Sequence, residues 1–250
     1  MIGRIRNSLA AVNYGHLAVE LLVLVIGILI AFQIDRWAEG RRDRELEHDY
    51  LLRLQDDLHI EIQSIDRARS YAAARIAAIL LLEESNTDPA IAVDRPGEVA
   101  AALETATWRS FPQIDAFVYS ELQSTGNLAL IRSVSLRRDL ANHYSTLRHY
   151  AQVGLDLDLQ HQFDRLTAGI LTTTELQNIE LDSWNEIGNV VSAERAQQIV
   201  RELQNRQGAM NLLPNLAQHH YFNQKVMESA RNRTLALIEL VETLIEGTEL

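Results

Sequence analysis

Residues Leu17–Ile34 read LAVELLVLVIGILIAFQI, and thirteen of these eighteen are Leu, Ile, Val or Phe. At 1.5 Å per residue, a helix of this length covers about 27 Å, close to the roughly 30 Å hydrocarbon thickness of a bilayer. Its large apolar side chains, at about −0.3 to −0.6 kcal/mol each, supply about −4 to −8 kcal/mol of insertion free energy. Glu20 is the only ionisable residue in the run and lies one turn from its end. Snorkelling there lowers its cost below the roughly +2.5 to +3.5 kcal/mol of a charge at the helix centre. Tyr14 and Trp37 flank the run, spaced to sit at the two interfaces. A buried core helix is the competing reading, but core helices rarely carry twelve consecutive apolar residues like Leu21–Phe32. A cleaved leader is another. The run is long for a leader's apolar region, and the bulky IAFQIDRW offers no small-residue cleavage site. The expectation is a retained transmembrane helix over residues 16–38.

On the amino side, Ile2, Ile5, Leu9 and Val12 fall at helical spacing with Arg4 and Arg6 on other faces. Residues 1–15 therefore read as an amphipathic tail lying in the headgroup region. On the carboxyl side, Arg36, Arg41, Arg42 and Arg44 alternate with Asp35, Glu39, Asp43 and Glu45. Counting basic residues places the carboxyl domain in the cytoplasm, whereas net charge points the other way, so composition leaves the orientation open. Within the span, Glu20, Gly27 and Ala31 fall within about 40° of one another around the helix axis, with His16 four residues before Glu20. Gly27 and Ala31 form a small-xxx-small pair that permits close approach of a second membrane helix. The expected contacts are the lipid bilayer and, through this face, self-association or another membrane protein, with Glu20 partnered by His16 or by the neighbouring chain.

Beyond the span, helical periodicity dominates. Leu46, Tyr50, Leu54, Leu58, Ile62, Ile65, Ala72, Ile76 and Ile79 step by threes, fours and one seven. That helix continues the membrane helix to about Glu84, where Ser85-Asn86-Thr87-Asp88-Pro89 stops it. Asp94 is placed to cap a short helix with Pro96 in its first turn, ending near Trp108. Pro112 opens another helix that Gly126 ends. Ser133 or Ser135 starts a long helix running to about Leu171, residues 172–192 are polar and irregular, and Ser192 caps a helix of about fifteen residues. The last helix spans about Leu212 to Glu246, with Pro214 at its start or kinking it. No segment alternates with β-branched enrichment, so no sheet is expected. The fold class is all-α: one amino-terminal transmembrane helix continuing into a long-helix bundle. Three long helices and several short ones surround one core, with residues 39–250 forming a single acidic domain.

The 250 residues are 47% hydrophobic, which rules out wholesale disorder, and four prolines and eleven glycines rule out collagen-like or linker-like chains. With no cysteine, the chain has no disulfide, thiolate zinc site or cysteine nucleophile. Residues 45–250 carry 17 basic against 30 acidic groups, a balance that repels phosphate backbones and excludes nucleic acid as a partner.

Two stretches carry a resemblance. VELLVLVIGILIAFQIDRWAEGRRDRE with the following YLLRLQDDL resembles the opening of a family of bacterial single-span proteins known only as a domain of unknown function. In that family an apolar run ending in G-[IV]-L-I-A-[FL]-Q leads to an Asp/Asn-x-Trp and a charged helix. The second stretch joins Tyr119, Leu122, Ser124, Gly126, Leu128, Leu130 and Ile131 to Leu136, Arg137, Leu140 and Tyr144. It is similar to that family's central helix–turn–helix segment. The resemblance covers about a quarter of the chain. It implies one membrane span and a helical domain in the bacterial inner membrane, amino end inside and carboxyl domain periplasmic, and it carries over no activity. Physically, Tyr119, Leu122, Ser124, Gly126 and Ile131 mark a tight helix corner, with Gly126 supplying a positive φ.

Catalytic chemistry is sparse. Glu45-Leu46-Glu47-His48 and Asp158-Leu159-Gln160-His161 hold Glu-x-x-His and Asp-x-x-His, the spacing used by di-iron bundles, and a bundle-type di-metal carboxylate enzyme is the alternative reading. Solvated helix faces are the simpler reading of both. Adjacent His219 and His220 point about 100° apart, which a single metal centre does not easily use. No nucleophile elbow, P-loop or dinucleotide glycine pattern occurs, and Lys225 is the only lysine. Asp56-Asp57 and Glu83-Glu84 read as solvated edges, and Trp108, Trp184, Phe111 and Phe117 as core or interface anchors. The expected function is non-enzymatic: a membrane-anchored helical protein acting through protein contacts, with no cofactor and no bound metal.

Overall fold

A computed structural model describes residues 14–108, 111–153, 158–179, 191–206 and 208–248. The amphipathic tail at residues 1–13 lies outside the described residues. The elements are α-helices α1 (Tyr14–Thr87), α2 (Ala90–Asp94), α3 (Pro96–Thr105) and α4 (Phe117–Ser124), a 3₁₀ turn (Asn127–Leu130), then α5 (Val134–Val153), α6 (Asp158–Thr167), α7 (Thr173–Asn178), α8 (Ala193–Asn205) and α9 (Ala209–Thr248). No strand occurs among the described residues. The protein is all-α, and its amino-terminal apolar helix continues without a break into the bundle.

α1 is 74 residues long, about 111 Å at helical rise. No proline interrupts it, and Pro89 lies just past its end. It leaves the helical state three residues later than expected because two residues of the stop signal are satisfied in place. Ser85 Oγ donates to the Leu81 carbonyl at 2.6 Å and Thr87 Oγ1 to that of Glu84 at 2.9 Å. The helix has two regimes of burial. Ala18 to Glu39 are exposed throughout, whereas from Glu47 onward every third or fourth residue is buried.

α9 runs antiparallel to α1, in a register fixed by three polar links: Gln55 to Glu242, Glu61 to Thr234 and Asp66 to Arg231. Apolar packing falls into two clusters rather than the single core expected. Nearer the exposed part of α1, Leu51, Leu54, Leu58 and Ile65 pack with Leu122, Ile131, Leu136 and Leu140 and with Met227, Leu237 and Val241. Farther along, Ile79 and Leu82 pack with α3, Phe163 of α6, α8 and the start of α9. Between the clusters, Arg75 of α1 and His220 and Asn223 of α9 are buried. The alternation of apolar residues along α1 does not reveal this polar level, because Arg75 sits on the buried stripe among alanines and isoleucines.

Several boundaries differ from expectation for local reasons. Arg95, not Asp94, occupies the cap position of α3 and makes no side-chain cap, while Asp94 ends α2. Pro112 does not open α4. Residues 111–116 are non-helical, and α4 begins at Phe117, where the Val118 backbone N–H donates to Asp57 Oδ2 of α1 at 2.8 Å. The long helix expected to reach Leu171 is described over Val134–Val153 and Asp158–Thr167, with 154–157 outside the described residues, and it ends four residues short of Leu171. The polar stretch after it holds α7, opened by a capping box in which Thr172 and Glu175 satisfy each other's backbone N–H groups. Ser192 caps α8, its Oγ accepting from the Arg195 N–H at 3.3 Å. α9 starts at Ala209, three residues early, with Pro214 inside it.

Candidate functional site

Among the described residues nothing covers the exposed portion of α1. Every residue from Ala18 to Ile34 is exposed, Leu21, Val23 and Phe32 each by more than 60%. An exposed apolar surface this large marks a membrane or protein interaction site, and by length and composition the helix is long and apolar enough to cross a membrane. Glu20, Gly27 and Ala31 lie on this bare segment. A Cβ built on Gly27 meets nothing within 4 Å, so the backbone there is open to close approach. The His16 side chain lies outside the described ones.

Where α1 enters the bundle, the helix corner is clamped to it. Glu47, Tyr50, Arg53 and Asp57 step by three, three and four along α1, which keeps them on one face. Glu47 accepts from the Arg132 backbone N–H at 2.6 Å and pairs with its guanidinium. Tyr50 donates to Glu121 at 3.2 Å and accepts from Asn127 Nδ2 at 3.1 Å. Arg53 forms an ion pair with Glu121, whose carboxyl this contact holds below the usual range. Asp57 supplies the cap of α4 described above. Of the corner residues, Leu122 and Ile131 are wholly buried and Tyr119 nearly so, its ring stacked on Tyr144 with centroids 4.8 Å apart. Gly126 has φ +76°, the left-handed region that favours glycine. Ser124 is exposed and donates to the Glu121 carbonyl at 3.1 Å. Sequence reasoning missed the α1 side of this clamp, reading Asp57 as a solvated edge. The signal was present in the 3-3-4 spacing of polar residues beside the leucine stripe.

One turn farther along α1 lies a buried polar triad that periodicity did not expose. Glu61 Oε1 accepts from His143 Nε2 of α5 at 2.7 Å and from Thr234 Oγ1 of α9 at 2.6 Å. All three residues are at most 5% exposed. Desolvation, with the nearby Glu61 and Asp57 charges, pushes the Tyr144 phenol up. These contacts join the three longest bundle helices at one level and admit a single helix register.

The other candidate residues do not converge. Glu45 is exposed and pairs with Arg41, and Asp158 and His161 are exposed on α6. α6 packs with the cluster around Ala78 to Leu82, about 50 Å along α1 from Glu45. Among the described residues no group of three or more His, Asp or Glu is placed to hold a metal ion. His220 is wholly buried, and its Nε2 donates to the Ala106 carbonyl at 3.0 Å. Burial first, then the nearby Arg75 and His219, lower its imidazole to about 4. Trp108 packs against the far cluster, where Arg75, Glu104 and Asp164 join it around a cleft of about 560 Å³. Phe117 is 70% exposed, on the outer side of the first turn of α4, while its neighbours Val118 and Tyr119 are buried, so it is not a core anchor. Trp184 lies outside the described residues.

With this geometry in hand, comparison with known proteins adds no relative: no family model, curated protein or solved structure matches the chain.

Proposed function

We propose that this chain is a non-enzymatic, single-pass protein of the bacterial inner membrane that presents a helical bundle on its periplasmic side and acts through protein contacts. It serves as a scaffold, complex subunit or envelope sensor. The observation that carries this reading is the continuity of α1. One uninterrupted helix has a bare apolar half and a half buried as the spine of the bundle. Such a helix makes the anchor and the domain one mechanical body, so a force or partner felt by the bundle is transmitted to the lipid-facing segment without a hinge. The resemblance to bacterial single-span proteins and the acidic bundle, which excludes nucleic acid, support the same reading.

Within the membrane, the partner surface is the Glu20, Gly27 and Ala31 face, through which the protein associates with itself or with another membrane protein. Crosslinking of the full chain in native membranes tests this. Gly27→Leu and Glu20→Leu are each expected to cut dimer yield about fivefold, the effect of about 1 kcal/mol of lost association. Unchanged yield in both variants contradicts association through this face. A periplasmic reporter enzyme fused after Leu250 is expected to be active; activity from a cytoplasmic reporter instead reverses the orientation.

A further inference from the structure

His143 satisfies one ring nitrogen and strands the other. Its Nε2 lies 2.7 Å from Glu61 Oε1, and a carboxylate only accepts, so Nε2 carries the proton. Nδ1 is fully enclosed and has no hydrogen-bond partner among the described residues. His143 lines a cleft of about 300 Å³ between α5 and α9. Ala236, Leu237 and Leu240 form its apolar wall, and Asp139 and Arg233 stand among its lining residues. The Asp139 carboxylate is engaged by Arg138 Nε at 3.1 Å, whereas Arg233 forms no ion pair among the described residues.

We propose that this cleft binds a small amphipathic acid. Its anionic group pairs with Arg233, and its apolar body lies on Leu237 and Leu240. The charge complementarity is specific. In a chain of net charge −11, an unpaired cation beside an apolar cleft favours an anion where most of the surface repels one. The volume lies at the lower end of small-ligand sites, which admits one ring or a short chain and excludes a two-tailed lipid.

The absence of cysteine makes a direct test available. Ala236→Cys places a unique thiol on the exposed lip of the cleft, and Ala129→Cys places one on the exposed 3₁₀ turn as a control. The probe is 4-hydroxyphenylacetate added to the full chain in detergent, with maleimide labelling as the readout. At about 20 mM, with the millimolar affinity usual for a ligand so small, it is expected to slow labelling at position 236 about fivefold. Labelling at position 129 stays unchanged, Arg233→Gln abolishes the protection, and the matching alcohol, which lacks the carboxylate, protects little. Absence of protection at position 236, equal protection at position 129, or protection that survives Arg233→Gln overturns the proposal.

Discussion

Glu61→Leu is expected to destabilise the bundle by about 3 kcal/mol or more, the penalty for removing one member of a buried polar pair. Leucine fills the volume but leaves the His143 Nε2–H without an acceptor in a site at most 5% exposed. Thr234 is spared, because its hydroxyl already lies 3.0 Å from the Ala230 carbonyl and turns to it. Glu61→Gln keeps an acceptor oxygen in place and is expected to cost only about 1 kcal/mol. The double variant Glu61→Leu with His143→Phe removes both polar partners and is expected to recover most of the loss. Urea unfolding of the full chain in detergent, followed by circular dichroism, measures all three. Variants indistinguishable from the parent would mean that the triad does not hold α1, α5 and α9 in register.

The second large effect is on acid stability. His220 is depressed from 6.5 to about 4 in the folded chain, first by burial and then by its charged neighbours. Between these values the unfolded chain binds the greater number of protons, so stability rises with pH across that window. The contribution is complete above about pH 6.5 and is lost as the pH falls to about 4, a total of about 3 kcal/mol. Carboxylates held low by ion pairs follow a different window. Glu175, lowered to about 2 first by the Arg195 hydrogen bond, protects above its unfolded value and loses stability only as the pH falls below about 4.5. The slope between pH 6.5 and 4.5 therefore reports on His220. His220→Gln, whose amide N–H reaches toward the Ala106 carbonyl without titrating, is expected to flatten it in a pH series of urea midpoints. An unchanged slope would assign the acid sensitivity elsewhere.

The parts of this structure legible in the sequence are those set by local rules. A long run of apolar and periodic residues without proline gives α1, and Ser192 reads as a cap because its hydroxyl needs only the N–H three residues on. The parts that were not legible depend on partners far away in the chain. Nothing near Pro112 says that α4 waits for Asp57, 61 residues earlier, to cap it. Glu61 looks like any charged residue on a helix until α5 and α9 bring His143 and Thr234 against it, 82 and 173 residues on. The division of the core is hidden for a similar reason. Arg75 and His220 interrupt apolar stripes on two separate helices, and only their juxtaposition makes a polar level. By contrast, the capping box at Thr172 and Glu175 is a local signal, overlooked because the stretch around it is polar.

That residues 16–38 form a transmembrane helix is tested directly by one fractionation. Full-length protein is expected to sediment with membranes on ultracentrifugation, to resist alkaline carbonate and to be released by detergent. A chain beginning at Glu39 is expected to stay in the supernatant with its helical content intact. Full-length protein that remained in the supernatant without detergent would contradict the account.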